Sequence, residues 1–153
     1  MQNRFLKYIL LILCVLPVTV NGQVRLGDYK IQKAYYSEGD STTNLSGWIE
    51  KGLNVHFVPV RDSMVISIDI GGKDKVFFMG MAVKMDNPGF ITTSPTAEFY
   101  HWIFISHIKE NVRNAYVMRE YIEGSLEKTG RKNYFIQVAL SDQSEFQFYG
   151  TGQ

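Results

Sequence analysis

Apolar and polar residues alternate through most of this chain, and this period-two pattern limits its possible folds more than any other feature. The clearest run covers residues 63–70, in which every second residue is methionine or isoleucine: Met64, Ile66, Ile68 and Ile70. Successive side chains of a β-strand point to opposite faces of a sheet, so the run predicts a strand with one buried face. A chain dominated by such runs is expected to be all-β.

Turn-forming residues divide the chain into seven or eight such strands. Besides residues 63–70, strands are predicted at 29–36, 53–60, 76–85, 98–108, 134–140 and 145–149. Short turns at residues 61–62, 71–74 and 141–144 separate strands that are predicted to pair as hairpins, and polar residues 38–47 are predicted to form a mobile loop. We therefore predict an antiparallel meander that forms a small barrel or a two-layer sandwich.

Residues 111–123 fit a helix and a strand almost equally well. Val112, Ala115, Met118 and Ile122 would share one face of a helix, whereas Tyr116, Met118 and Ile122 would share one face of a strand. The alternative to an all-β fold is therefore a β-rich α+β fold with one helix near residues 111–123. Ser94 and Pro95 also permit a helix at residues 98–108, for which the aromatic and β-branched composition favours a strand.

The first 22 residues have the pattern of a secretory signal peptide. Arg4 and Lys7 precede an apolar stretch at residues 9–18, and Gly22 provides a small residue at the expected cleavage position. Cleavage there would leave residues 23–153 as a single secreted or periplasmic β domain. Cys14 is the sole cysteine and lies inside the predicted signal peptide, so the domain is expected to fold without disulfides or thiol chemistry.

The charge balance argues against two classes of partner. Without the signal peptide the chain has 14 basic residues (16 − 2) and 15 acidic ones, and the basic residues form no run. This composition does not favour binding to nucleic acid or to an anionic membrane surface. No further apolar stretch is long enough to span a bilayer. We predict no cofactor, and a small apolar ligand, a protein or another copy of the chain as the partner.

Two predicted strands are apolar on both faces. One face of residues 76–85 carries Phe77, Met79, Met81, Val83 and Met85, and the other carries Val76, Phe78, Gly80 and Ala82. In residues 98–108, Tyr100, Trp102 and Phe104 share one face, and the other carries His101, Ile103, Ile105 and His107. The solvent side of a barrel wall should be polar. We therefore expect a packed helix from residues 111–123, a sheet partner or another subunit to cover these strands.

The aromatic row gives the first functional hypothesis, a non-enzymatic binding domain. Tyr100, Trp102, Phe104 and Phe77 would contact a small apolar ligand or an extracellular partner, and His101 or Tyr100 would orient the ligand by hydrogen bonding. Packing in the core is the alternative role for these side chains. The second hypothesis is an assembly component that self-associates through its apolar strand faces. A ligand barrel needs an internal cavity, whereas an assembly component has a filled core and an exposed apolar patch.

Metal binding and catalysis are weaker hypotheses. Met79, Met81 and Met85 would place alternate thioethers roughly 6.6–6.8 Å apart on one strand face. Such a row suits copper(I), although methionine more often fills a core. The candidate acids for an enzyme of unknown reaction are Asp69, Glu98 and Glu120, and no serine lies in a nucleophile elbow.

A small exported eight-stranded barrel resembles the lipocalin architecture. The glycine-x-tryptophan signature of lipocalins is absent, because Gly47 and Trp48 are adjacent. The resemblance therefore implies an architecture and does not assign a family. Within the doubly apolar strand, Gly80 is expected to mark a bulge or a place where a ligand approaches the backbone closely.

Overall fold

The computed structural model describes residues 27–71, 76–106, 111–122 and 131–152, with the side chains of residues 76 and 77 left out. These ranges form β1 (Asp28–Glu38), β2 (Ser41–Asn44), α1 (Ser46–Glu50), β3 (Asn54–Val60), β4 (Ser63–Asp69), β5 (Val76–Met85), β6 (Glu98–Ser106), β7 (Val112–Tyr121), β8 (Lys132–Leu140) and β9 (Glu145–Gly152). The predicted signal peptide, its cleavage after Gly22, His107 and most of the turn at 71–74 lie outside the described residues.

Eight strands close into an antiparallel barrel. Each strand from β3 to β8 pairs with the next along the chain, and β1 completes the circle by pairing with both β3 and β9. The ninth strand, β2, pairs with the last four residues of β1, Tyr35 to Glu38. The prediction of an all-β antiparallel meander is confirmed, and of the two predicted architectures the chain adopts the barrel.

The period-two pattern sets which side chains fill the barrel. In β3 and β4, Phe57 lies opposite Ile66 and Val55 lies opposite Ile68, and all four are at most 1 % exposed. The two-residue turn between these strands has Arg61 at φ 53°, the left-handed conformation that a tight hairpin needs. The register and the tight turn therefore place the same side chains of β3 and β4 inside the barrel.

The helix alternative for residues 111–123 is wrong, because residues 112–121 form β7. Val117 faces Tyr100 of β6 on one side and Val138 of β8 on the other, and it is fully buried. Both neighbours pair with β7 along its length, so its backbone hydrogen bonds go to the sheet. This segment consequently does not cover the outside of β5 and β6 as a helix.

The polar segment 38–47, predicted as a mobile loop, instead contains β2 and the start of α1. Ser37 and Thr42 share a hydroxyl hydrogen bond of 3.1 Å across the β1–β2 hairpin. Leu45, Trp48 and Ile49 pack against one end of the core, which we call the α1 end. Short-range polar contacts therefore order a stretch whose composition indicates a loop. None of the described ranges holds a helix with the length and apolar character required to cross a membrane.

The barrel interior is filled by side chains. Trp102, Phe57, Phe104 and Phe148 are each at most 2 % exposed, and Trp102 stacks on Phe104 with ring centroids 4.2 Å apart. A water-sized probe would reach side chains that line a cavity, so such low exposure means close packing around them. These large rings act as the barrel core.

Gly80 lies where β5 and β6 approach each other. A Cβ atom added there would be 1.9 Å from the backbone oxygen of Ile103 and 2.5 Å from the Cα of Phe104. The β5–β6 register runs without a break from Phe78 to Met85. Gly80 is therefore not the predicted bulge, and its close neighbour is strand β6.

Candidate functional site

The outward-facing side chains of β5, β6 and the start of β7 form an exposed apolar surface, which we call the outer face. Each of its members is between 44 % and 69 % exposed. They are Met79, Met81, Val83, Ile103, Ile105, Val112 and Tyr116. No described part of the chain buries these seven side chains.

The strand register joins these side chains into one continuous surface. Met79 lies opposite Ile105, which in turn lies opposite Val112, and Met81 lies opposite Ile103. Directly opposed residues on one sheet face have Cβ atoms about 4.5–5.5 Å apart, close enough for their side chains to touch. The outer face is therefore a single patch that crosses three strands.

The outer face contains no formal charge. Among the described residues, its outward-facing neighbours include Ser63, Val65 and Ser67 on β4, His101 on β6, Asn114 on β7 and Ala139 on β8. The largest apolar patch of a typical monomer covers about 300–600 Å² and often has a function. Seven adjoining large side chains, each 44–69 % exposed, make the outer face a candidate for such a functional patch.

Residues 86–97 cover the neighbouring part of the outer wall, and we call this segment the strap. Phe90 stacks on Phe99 with ring centroids 5.9 Å apart, and the Thr92 hydroxyl donates a 2.8 Å hydrogen bond to Glu120. Met118, which also points outwards, is only 2 % exposed. The chain therefore covers its own outward-facing apolar residues near the strap and leaves the outer face open.

The predicted ligand-binding residues do not form one site. Tyr100, Trp102 and Phe104 point into the filled interior, whereas His101 points outwards and lies 5.4 Å from the ring of Tyr116. His101 and Tyr100 are therefore on opposite sides of the wall and do not face the same ligand. The Phe77 side chain lies outside the described atoms.

The three predicted metal-binding methionines all lie on the outside of β5. Met79, Met81 and Met85 are 51 %, 48 % and 36 % exposed, so their sulfurs are not used to fill the core. Across the described ranges, no group of three His, Cys, Asp or Glu side chains is arranged to hold a metal ion. The copper(I) alternative remains a prediction that rests on thioethers alone.

The opposite end of the barrel from α1, which we call the mouth, contains a charged network that the sequence analysis missed. Arg119 of β7 donates hydrogen bonds to the Glu98 carboxylate, to the Tyr29 hydroxyl at 3.0 Å and to the Tyr100 hydroxyl at 3.1 Å. Its guanidinium carbon lies 4.6 Å from the ring centroid of Phe57. The guanidinium is thus fixed by four side chains. The sequence contained one sign of this network. Arg119 is a charged residue on the same strand face as Ala115 and Val117, which point into the barrel.

The network shifts two pKa values strongly. Burial alone would raise the pKa of Glu98, but hydrogen bonds from Arg119 and Lys84 outweigh it and lower that pKa to about 2. Burial raises the pKa of Tyr100 to about 12, although the charge of Arg119 acts against the shift. At neutral pH the mouth therefore contains a carboxylate, a guanidinium and protonated phenols.

A second polar cluster joins β1, β3 and β4 on the outside of the barrel. The His56 ring contacts Asp28 through Nδ1 at 2.8 Å and Asp69 through Nε2 at 2.5 Å. The imidazole therefore lies between two carboxylates and links the three strands. Since Asp69 contacts His56, Glu98 lies in the mouth and Glu120 meets the strap, the three predicted acids belong to separate networks and do not converge.

Comparison of this chain with protein-family models, with curated proteins and with solved structures found no match.

Proposed function

We propose that this protein is a non-enzymatic assembly component that self-associates through its outer face. The observation that carries the proposal is a charge-free patch of seven apolar side chains that no described part of the chain covers. Burying this area removes apolar surface from water, which gives a favourable free energy of roughly 25 cal/mol per Å². Self-association of a secreted or periplasmic domain is one of the two non-enzymatic roles that the sequence predicts.

The filled interior favours assembly over storage of an apolar ligand. Trp102 and Phe104 are in full contact with other core side chains, so a ligand would have to displace them. An apolar ligand carrier needs a mostly apolar preformed cavity of about 300 Å³ or more, whereas the opening at the mouth of this barrel has the charged side chains of Glu98 and Arg119 at its base. The lipocalin-like carrier role is therefore the weaker hypothesis for this barrel.

The chemistry of the outer face fits a second copy of the chain as its partner. A surface without charge meets its own copy with no repulsion, and an isologous dimer presents the same patch from both subunits. The outer walls of two barrels pack face to face about 10 Å apart when apolar side chains fill the gap. Standard interfaces bury about 800 Å² per partner, with an apolar centre and a polar rim. The outer face supplies such a centre, and Ser67 and Asn114 lie at its rim.

Sedimentation velocity of the protein secreted from an exporting host tests this proposal. We expect a dimer for the wild-type chain, and a monomer for Val83→Asp, because the dimer would bury the introduced carboxylate without a partner. Gln32→Asp is the matched control, since it introduces the same carboxylate at an exposed residue of β1, a strand that does not pair with β5, β6 or β7. This control should remain dimeric.

Native mass spectrometry of the same samples distinguishes the other possible occupants. A wild-type monomer, either bare or carrying a small molecule that denaturation releases, would overturn self-association. A dimer that survives Val83→Asp with unchanged stability would place the interface elsewhere and equally contradict the proposal.

A further inference from the structure

We infer that the mouth of the barrel is a binding site for a small organic carboxylate. A cavity of about 390 Å³ opens there. It is lined by Gly27, Tyr29, Phe57, Pro59, Met64, Thr96, Glu98, Arg119, Tyr121, Lys132 and Tyr134. Cavities that bind small molecules usually hold about 300–1,000 Å³, so this one suits a compact ligand. The site is separate from the outer face and does not depend on self-association.

The mouth has an excess of positive charge. Among the described residues of the lining, Glu98 is the one carboxylate, and it is shared by Arg119 and by Lys84, whose Nζ lies 2.9 Å from it. Lys132 lies 5.3 Å from the ring centroid of Tyr121 and forms no ion pair with a described carboxylate. Within the described part of the chain, the lining therefore holds two cations, Arg119 and Lys132, and one carboxylate that Lys84 also bonds from beside the cavity, which suits the cavity to a second carboxylate.

The donors of the mouth are already oriented. The contacts of Arg119 with Glu98, Tyr29 and Tyr100 use four of its five N–H groups, and the remaining one is on the nitrogen that bonds Tyr29. The guanidinium is held against the Phe57 ring, and its side chain keeps 16 % exposure to the cavity. A carboxylate that reaches this N–H and the exposed ammonium of Lys132 would gain charge-assisted hydrogen bonds, while the other contacts of Arg119 stay in place.

The walls of the mouth require an apolar body on the ligand. Tyr121, Tyr134, Met64 and Pro59 are partly or fully exposed around the charged base, and the rings of Tyr121 and Tyr134 are 5.9 Å apart. The buried ring of Tyr29 packs against the Tyr134 ring, with the ring centroids 4.8 Å apart, and forms the bottom of the cavity. An aromatic or short aliphatic carboxylate therefore fits, whereas a long acyl chain would meet the filled core.

Titration of the ¹⁵N-labelled protein with benzoate tests this inference by amide chemical shifts. We expect saturable changes at residues 96–98, 119–121 and 132–134, and much weaker binding of benzamide, which has the same ring without the charge. Lys132→Gln should weaken benzoate binding about three- to fivefold, as expected for loss of one partly exposed charge. Lys33→Gln makes the same charge change on the outward-facing side of β1 and should leave the affinity unchanged.

Three results would overturn the inference. They are the absence of saturable changes at the mouth, equal affinities for benzoate and benzamide, and equal weakening by Lys132→Gln and Lys33→Gln. Repeating the titration on Val83→Asp separates this site from the interface, because a monomeric variant should bind benzoate as the wild type does. Lys132 is exposed, so its substitution is expected to leave the barrel folded.

Discussion

Glu98 and Arg119 face each other across β6 and β7, and their side chains join inside the mouth of the barrel. The pair is a direct product of register, because a shift of one residue in either strand would turn one of the two charges to the outside. Its position explains how a barrel with a filled apolar core tolerates a half-buried arginine. The carboxylate, two phenolic oxygens and the Phe57 ring together compensate the charge.

The first prediction concerns acid stability. The folded-state pKa of Glu98 is about 2 against an ordinary value of 4.5, so its ionisation stabilises the fold above pH 4.5, and this stabilisation is lost as the pH falls towards 2. After allowance for screening at a partly exposed group, the loss is about 1 kcal/mol. In urea unfolding, Glu98→Gln should be less stable than wild type at pH 7, and the difference should shrink below pH 4.5. A difference that stays constant down to pH 2 would contradict this linkage.

The second prediction concerns alkaline titration. Burial raises the pKa of Tyr100 to about 12 from 10.0, so the folded state resists ionisation and its stability falls as the pH rises from 10 towards 12. Ultraviolet absorbance of phenolate should show a late-titrating tyrosine that disappears in Tyr100→Phe. Far-ultraviolet circular dichroism at each pH separates this ionisation from unfolding. An unchanged late phase in the variant would assign it to another tyrosine.

The third prediction concerns the centre of the core. The indole N–H of Trp102 is buried and has no hydrogen-bond partner among the described residues. Trp102→Phe removes this unsatisfied donor, which offsets part of the cavity it creates, so we expect a loss of only about 1 kcal/mol. Trp102→Ala should cost about 3–5 kcal/mol. Equal losses in chemical denaturation would mean that the indole N–H is well satisfied in solution.

The fourth prediction concerns the contact between β5 and β6. Gly80→Ala would place a methyl group against the Ile103 carbonyl, and the forced separation of the strands should cost about 1–3 kcal/mol. Gly47→Ala is the control, because a Cβ atom there meets nothing within 4 Å and alanine favours the helix α1. The two variants should therefore shift the unfolding midpoint in opposite directions. A neutral Gly80→Ala would show that the strands have room to separate.

The sequence predicts this fold well wherever one local pattern decides the structure. Met64, Ile66 and Ile68 alternate cleanly, and β4 has the predicted bounds within one residue. Residues 112–121 satisfied two periodicities at once, and the choice was made by pairing with β6 and β8, which a local pattern does not contain.

The candidate sites divide in the same way. The sequence identified both apolar faces of β5 and β6, and the outer face follows from them. It did not identify the mouth, because the Arg119 network depends on Tyr29, which is 90 residues away in the chain. It also did not identify the strap as a cover, because the strap has the composition of a loop although its Phe90 packs on the apolar wall.

Closure of the barrel has a consequence for how the chain folds. Lys30 of β1 lies opposite Thr151 of β9, so strands separated by 121 residues (151 − 30) must meet before the circle is complete. Contacts of such long sequence separation slow folding, because the loop-closure entropy is lost before the contact forms. Without β9, β1 and β8 would each expose a free hydrogen-bonding edge. A chain truncated before β9 should therefore be prone to aggregate, because β9 is the strand that pairs with both of these edges.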